Sequence, residues 1–550
     1  DLDLTRQLPI LERARRVPDM LRYPNGRVVA FHDTWAREQS QPLAASESML
    51  LPELGHARLG RGAGDAQMQV HLHFSGGYGH QHGDVLSMSL FARSQERLAD
   101  IGYTHTRQRA WTVSTLSHNT VTVDGQDQNM GSQSTPSEGS LRLFVPGDND
   151  VLAAVEASGE RAYPGLVEVY RRMLLLVGAA EDGYVVDLFH VVGGTRHEYV
   201  LIGDADHDGT LVHDMASQPY GDMLLPEGIA VTLPTGESTP GDAQGHNLGY
   251  AYINNVQQAA IQGTEITKTK LTKNWQASFT SEAPTYGAVR VHGAALGDSD
   301  VLFTAQAPSI RQAEEDDAAL AQYHLPILVQ RRDATSGSSL ASTFVSVLES
   351  HGADGPFIDS VERLPVAVSR GTGVAVQVRW GEVTDLLLIG TEPETMLEAD
   401  GVRLQGRVGF VRRRQGIVEE MRLVGGTSLQ AAGHELQAAG VLRGRVQATL
   451  RQESGQASHA LSTDLPITSL PQLAGLWATV IDGAGFHHGH QITGVSPGDS
   501  GGVVLQLAAD PGYEINADGG KQSYFPGRDW QGQSIVEIAT TARWSSDAVR

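Results

Sequence analysis

The chain has 550 residues, 40% of them hydrophobic, which is enough to bury several cores in two or three domains and excludes a single small domain. Its 41 Lys and Arg stand against 64 Asp and Glu, a formal charge of -23 that argues against nucleic acid or anionic lipid as partners and requires a locally basic cleft for any polyanionic substrate. The absence of cysteine excludes disulfides and thiolate metal sites and leaves His, Asp and Glu to hold any metal.

The chain opens at Asp1 without a basic and apolar leader, so it reads as a processed product or a fragment, from which an export signal could have been lost. Residues 1–24 carry a helical pattern in Ile10, Leu11, Ala14, Val17 and Leu21, which predicts one terminal helix, kinked or divided at Pro18, before the turn Pro24-Asn25-Gly26. From about residue 50 short β-type runs dominate, among them 85–91, 119–123, 173–177 and 374–378, with turn signals such as Asp124-Gly125, Asp182-Gly183 and Asp400-Gly401 between runs. The pattern predicts a mainly β, antiparallel sandwich. Residues 233–248 form a polar Gly/Pro-rich loop, and a compositional break at 452–466 precedes a small C-terminal β domain. No run of about 18 apolar residues occurs, so neither a membrane span nor a membrane partner is expected.

Chemistry concentrates between residues 79 and 125. His80 and His82 are two apart, so on an extended strand both imidazoles would project from one face. Asp100 lies 18 residues beyond His82, and His118 another 18 beyond Asp100, with predicted strands at 85–92, 97–103 and 118–124. Side chains on neighbouring strands, about 4.8 Å apart, can converge on one ion. Two imidazoles and a carboxylate with one open position suit Zn²⁺, or another divalent cation. The competing reading of the spacing is a set of hydrogen-bonded histidines at a sheet edge. His71 and His73, also two apart, read as ordinary polar positions on the preceding strand.

The run Gly79-His80-Gln81-His82-Gly83-Asp84, then Leu98-Ala99-Asp100-Ile101-Gly102-Tyr103, then 111–125 with Ser117-His118-Asn119-Thr120-Val121, resembles the signature of the heparinase II/III-like polysaccharide lyases. Tyr23-Pro24-Asn25-Gly26 with Phe31-His32-Asp33-Thr34, and the segments 325–329 and 344–349, resemble flanking parts of that family. The similarity covers roughly residues 15–440 and is specific over 76–125. It implies a supersandwich of antiparallel β-sheets behind a helical (α/α) toroid, with residues 1–40 as the remnant of the toroid, 41–455 as the β-sandwich with its metal site, and 456–550 as a C-terminal β domain. It also implies cleavage of a uronate polysaccharide, a glycosaminoglycan or alginate, by β-elimination outside the cytoplasm, secreted or periplasmic. By the same resemblance His82, Asp100 and His118 bind zinc, His80 faces substrate and Tyr103 lies in the cleft. A toroid missing from this chain would have to supply a Tyr and a His or Asn.

β-Elimination needs a base for the proton α to the carboxylate, an acid for the leaving oxygen, and neutralisation of the carboxylate. His80 suits acid or base work because imidazole exchanges protons near neutrality. Tyr103 suits either role if nearby positive charge lowers its pKa. Arg107 and Arg109 offer donors to a carboxylate or sulfate, and Trp111 an indole to stack on a sugar. Tyr78 and Asn119 are weaker candidates. Two further motifs are set aside: Gly498-Asp499-Ser500-Gly501-Gly502 copies a serine-protease loop but lacks the upstream His segment, and Phe486-His487-His488-Gly489-His490 reads as a loop without a carboxylate partner. The alternative to a lyase is a non-catalytic glycan-binding β-sandwich fragment. A glycoside hydrolase finds no obvious carboxylate pair in the matched segments.

Overall fold

The computed structural model describes residues 10–76, 79–132, 134–147, 150–237, 240–260, 274–281, 287–294, 300–335, 337–466, 473–498, 501–524 and 526–546. Tyr78 and the Asp499-Ser500 pair therefore lie outside the described residues. Near the N-terminus two short helices, Ile10–Ala14 and Val17–Met20, stand where one was expected. The division falls just ahead of Pro18, which sits in the first turn of the second helix, where its missing N–H is not needed. The following segment lies on the first sheet, with Tyr23 buried, stacked on Phe91 and its hydroxyl 2.8 Å from Glu96. No described helix is long and apolar enough to cross a membrane.

The rest is antiparallel β-structure in stacked layers. A five-stranded meander runs through Met49–Leu51, His56–Arg61, Met68–His73, Ser87–Ala92 and Gln95–Leu98. An eight-stranded sheet centred on Val167–Val177, Tyr184–Gly193 and Ala341–His351 packs against it and against a six-stranded sheet that ends in Arg196–Ile202 and Val121–Val123. The opposite face of the eight-stranded sheet meets a second six-stranded sheet, including Gly373–Trp380 and Val383–Gly390, and that sheet in turn covers a five-stranded one.

This layering explains why several strands read as unbroken apolar runs. On Val167–Val177, Leu174 and Leu176 enter the core shared with the meander, while Met173, Leu175 and Val177 enter the core on the other side. On Gly373–Trp380, Val374, Val376 and Val378 face the eight-stranded sheet and Ala375 faces the opposite way. A strand buried on both faces has no polar side to alternate with. Asp400-Gly401, by contrast, is a two-residue hairpin with both residues at positive φ, +47° and +71°, joining Ala399 to its partner Val402.

A closed six-stranded barrel follows, beginning with Val441–Leu450 and including Trp477–Ile481 and His487–Pro497, with a small sheet of Tyr513–Asn516, Gly519–Gln522 and Asp529–Gln531 against it. The last strand, Thr541–Ser545, returns to pair with Ile417–Val424. The His487–His490 run, expected in a loop, opens a barrel strand, and His488 has two carboxylate partners. Its Nδ1 lies 3.0 Å from Glu53 Oε1 and its Nε2 3.4 Å from Asp482 Oδ2, bridging barrel and meander. Burial opposes the charge, but the two carboxylates push the imidazole up to about 9. A raised folded-state pKa stabilises fully below the ordinary value of about 6.5 and is lost as pH rises through about 9. The melting temperature should therefore fall between those pH values, and His488→Gln should flatten that fall; identical profiles would contradict the assignment.

Candidate metal centre and catalytic loop

The loop 79–84 is not the strand that the spacing predicts. His80 takes φ +57°, so His80 and His82 do not share a face: the His80 side chain is 90% exposed, while that of His82 is fully buried. A non-glycine residue in the left-handed region costs about 1–3 kcal/mol and persists only where its surroundings hold it. Here the His80 carbonyl accepts from Asp33 N at 3.1 Å and its Nδ1 lies 3.0 Å from Asp33 Oδ2. Gly83 lets the loop close on its neighbour, because a Cβ there would stand 2.4 Å from Thr115 Oγ1.

Asp100 follows the strand Gln95–Leu98, and His118 follows the 3-10 turn Thr115–Ser117. The strands nearest them, Gln95–Leu98 and Val121–Val123, belong to different sheets. The three residues thus converge from loops between two sheets, not on adjacent strands of one sheet as expected. His82, Asp100 and His118 are all buried, and one ligand atom of each lies within 4.8 Å of the others. Arg311, itself buried, fixes this corner by bonding Glu96 and the backbone carbonyls of Asp100 and Ile101. Asn119 ties the same corner together by donating to the carbonyls of Met88 and Ala99, which makes it a structural residue.

Hydrogen bonding sets the tautomers. His82 Nε2 meets an acceptor and a donor, Asp33 Oδ1 at 2.9 Å and Arg109 Nη1 at 2.9 Å; with its proton directed to Asp33, Nδ1 presents a lone pair. Asp100 Oδ2 lies 2.8 Å from His118 Nδ1, which likewise leaves Nε2 as the lone-pair nitrogen. His82 Nδ1 and His118 Nε2 are both buried with no hydrogen-bond partner. Burial lowers the His82 pKa, as suits a neutral ligand; burial also opposes charge on His118, but the Asp100 carboxylate more than offsets it and the pKa rises. Two buried imidazoles with open lone pairs, oriented by carboxylates, fit Zn²⁺.

Asp33 is the residue that the sequence did not single out. It lies 47 and 49 residues from the histidines it holds, and its Oδ1 also takes Arg109 Nη1 at 2.6 Å. Its own burial opposes ionisation, but the His82 hydrogen bond and Arg109 bring its pKa down to about 2. The one signal for it was its place in Phe31-His32-Asp33-Thr34. Arg109, expected to bind substrate, is committed to this pair, with its guanidinium 4.9 Å from the centre of the Tyr103 ring. Arg107 is exposed and bonds Asp317.

Tyr103 departs from its expected electrostatics. Burial and then the nearby Glu237 raise its pKa, although Arg109 opposes them, so its hydroxyl is kept protonated. Trp111 cannot stack on a sugar, because it is fully buried in the short helix Arg109–Thr112 and packs towards Tyr252. His71 and His73 are also not simple polar positions. Every residue of Met68–His73 is buried, and the two histidines join a line of contacts running from Gln69 through His71, His56 and His73 to His32.

The antiparallel β-scaffold thus carries a buried histidine–carboxylate centre beside an exposed histidine. Residues 44–233, which include that centre, match the family model of the heparinase II/III-like C-terminal domain. Among solved structures it is similar to the heparan sulfate lyase HepC from Pedobacter heparinus, with 11% identity over 70% of this chain and 53% of that one and a TM-score of 0.46. A heparinase III shows 12% identity over 75% of this chain and 55% of that one, with a TM-score of 0.43. A putative aldose 1-epimerase from Escherichia coli aligns at 10% identity over 54% of this chain and all of that one, with a TM-score of 0.26. The chain spans about half the length of the solved lyases it matches. No curated protein sequence matches it.

Proposed function

We propose that this chain acts on a uronate-bearing acidic polysaccharide, a glycosaminoglycan or alginate, and cleaves it by β-elimination. The observation that carries the reading is His80: exposed, held in a strained backbone conformation, and clamped by Asp33 beside the buried centre. Asp33 Oδ2 accepts a hydrogen bond from the His80 Nδ1–H, which leaves the Nε2 lone pair as the base for the proton α to the uronate carboxylate. Tyr103, kept protonated, donates to the leaving glycosidic oxygen. Arg107 offers an exposed guanidinium for the carboxylate. His82, Asp100 and His118 would hold Zn²⁺, whose charge would pin the loop on which His80 stands. A helical toroid contributes the remaining side of the cleft, and a substrate of this kind places the protein in a secreted or periplasmic setting.

The test is to incubate the complete polypeptide carrying this chain with alginate and glycosaminoglycans and follow the ultraviolet absorbance of the conjugated C4–C5 double bond. Rising absorbance on one of them is expected. A second reading is a glycan-binding β-scaffold without turnover. Binding of acidic oligosaccharide with flat absorbance, unchanged by His80→Ala, would establish that reading instead.

A further inference from the structure

We propose a second divalent-metal site, built from His32, His73 and Asp84, beside the centre at His82, Asp100 and His118. One ligand atom from each of the three lies within 4.8 Å of the others. Asp84 is fully buried, and its ion-pair contacts among the described residues are to two imidazoles, with no arginine or lysine: His32 Nδ1 lies 2.9 Å from Oδ1 and His73 Nε2 lies 3.9 Å from Oδ2. A buried carboxylate without a permanent cation is costly unless something else compensates its charge.

The hydrogen bonds show what is missing. The backbone N–H of His82 donates to His32 Nδ1 at 3.3 Å, so that nitrogen presents a lone pair. Asp84 Oδ1 faces it at 2.9 Å with no aligned hydrogen bond of its own. The His32 backbone N–H donates to Asp84 Oδ2 at 2.9 Å, and His73 Nε2, 3.3 Å from His32 Nε2, closes the group. A divalent cation bound at about 2.0–2.2 Å from such atoms would neutralise the buried carboxylate. Two nitrogens and one carboxylate oxygen favour an ion of the Zn²⁺ type over Mg²⁺ or Ca²⁺. The surroundings suit a site: Phe31 stacks on the His73 ring at 4.5 Å, and the partly exposed His32 leaves a way in for the ion.

The two ligand sets are distinct yet mechanically joined. His32 precedes Asp33, and Asp84 lies two residues after His82, so the same two loops serve both centres. The His32 and His82 rings lie 6.5 Å apart. The second ion would help to lock the loop pair that presents His80.

The untagged chain, stripped with a chelator and titrated with Zn²⁺, is expected to bind about two equivalents, and His118→Gln to retain about one. In that His118→Gln background Zn²⁺ should still raise the melting temperature, and adding Asp84→Asn or His73→Gln should abolish the remaining binding. One equivalent that survives His118→Gln but not His73→Gln supports this site even if the first centre takes no metal. A single equivalent lost in His118→Gln, or no binding at all, overturns it. Loss of binding is scored only in variants whose circular dichroism matches the parent, and the wild-type and His118→Gln stoichiometries decide the matter by themselves.

Discussion

Replacing His80 with alanine is expected to lower turnover on a uronate polysaccharide by about 10²–10⁴-fold, the usual contribution of a positioned acid or base. The fold should tolerate the change. The side chain is 90% exposed, and substitutions on an exposed surface commonly stay within about 0.5 kcal/mol. Asp33→Asn separates positioning from proton transfer: it keeps the shape but weakens the hold on His80, His82 and Arg109 together, so activity should fall by about 10–100-fold and zinc affinity should drop with it. Initial rates on the best substrate, with zinc content measured in parallel, check both variants. An active His80→Ala protein would remove His80 from the chemistry.

The largest expected loss of stability comes from Arg172, buried between two sheets. Arg172 and Asp187 are both fully buried and paired through two contacts of 2.9 and 2.6 Å. The guanidinium also donates to the carbonyls of Leu86 and Asn119, and the Tyr199 hydroxyl donates to Asp187 at 2.6 Å. One pair thus joins the eight-stranded sheet to the six-stranded sheet and to the segments that carry Asp84 and His118. Removing one partner of such a pair leaves an uncompensated buried charge, at about 3–5 kcal/mol. Arg172→Met should lower the denaturant midpoint accordingly, and Arg172→Met with Asp187→Leu should recover part of the loss. A midpoint unchanged in Arg172→Met contradicts this account of the core.

Much of the fold was legible because the signals were local. Asp-Gly turns and β-branched runs mark strands without reference to distant residues; that the runs at 173–177 and 374–378 are buried on both faces shows only in the stacked sheets. How the sheets stack, and the closure of the barrel, depend on pairings such as Thr541–Ser545 with Ile417–Val424, which no local pattern encodes. The site divides in the same way. The resemblance drew attention to His82, Asp100 and His118, and the structure brings them together, but spacing on strands was the wrong reason: loops between sheets converge them. Asp33 escaped because its contacts span 47 to 49 residues. Trp111 was misread because Arg109–Thr112 is a single helical turn, too short for periodicity to show which side is buried.

The central claim is the bond that breaks and how. Mass spectrometry of the oligosaccharides released from a uronate polysaccharide distinguishes elimination from hydrolysis, because elimination leaves an unsaturated uronate at the new non-reducing end, one water lighter than the hydrolysed fragment. The lighter, unsaturated series, dependent on His80, is the expected product. Saturated fragments of hydrolytic mass, or intact polymer that is bound but never cut, would contradict it.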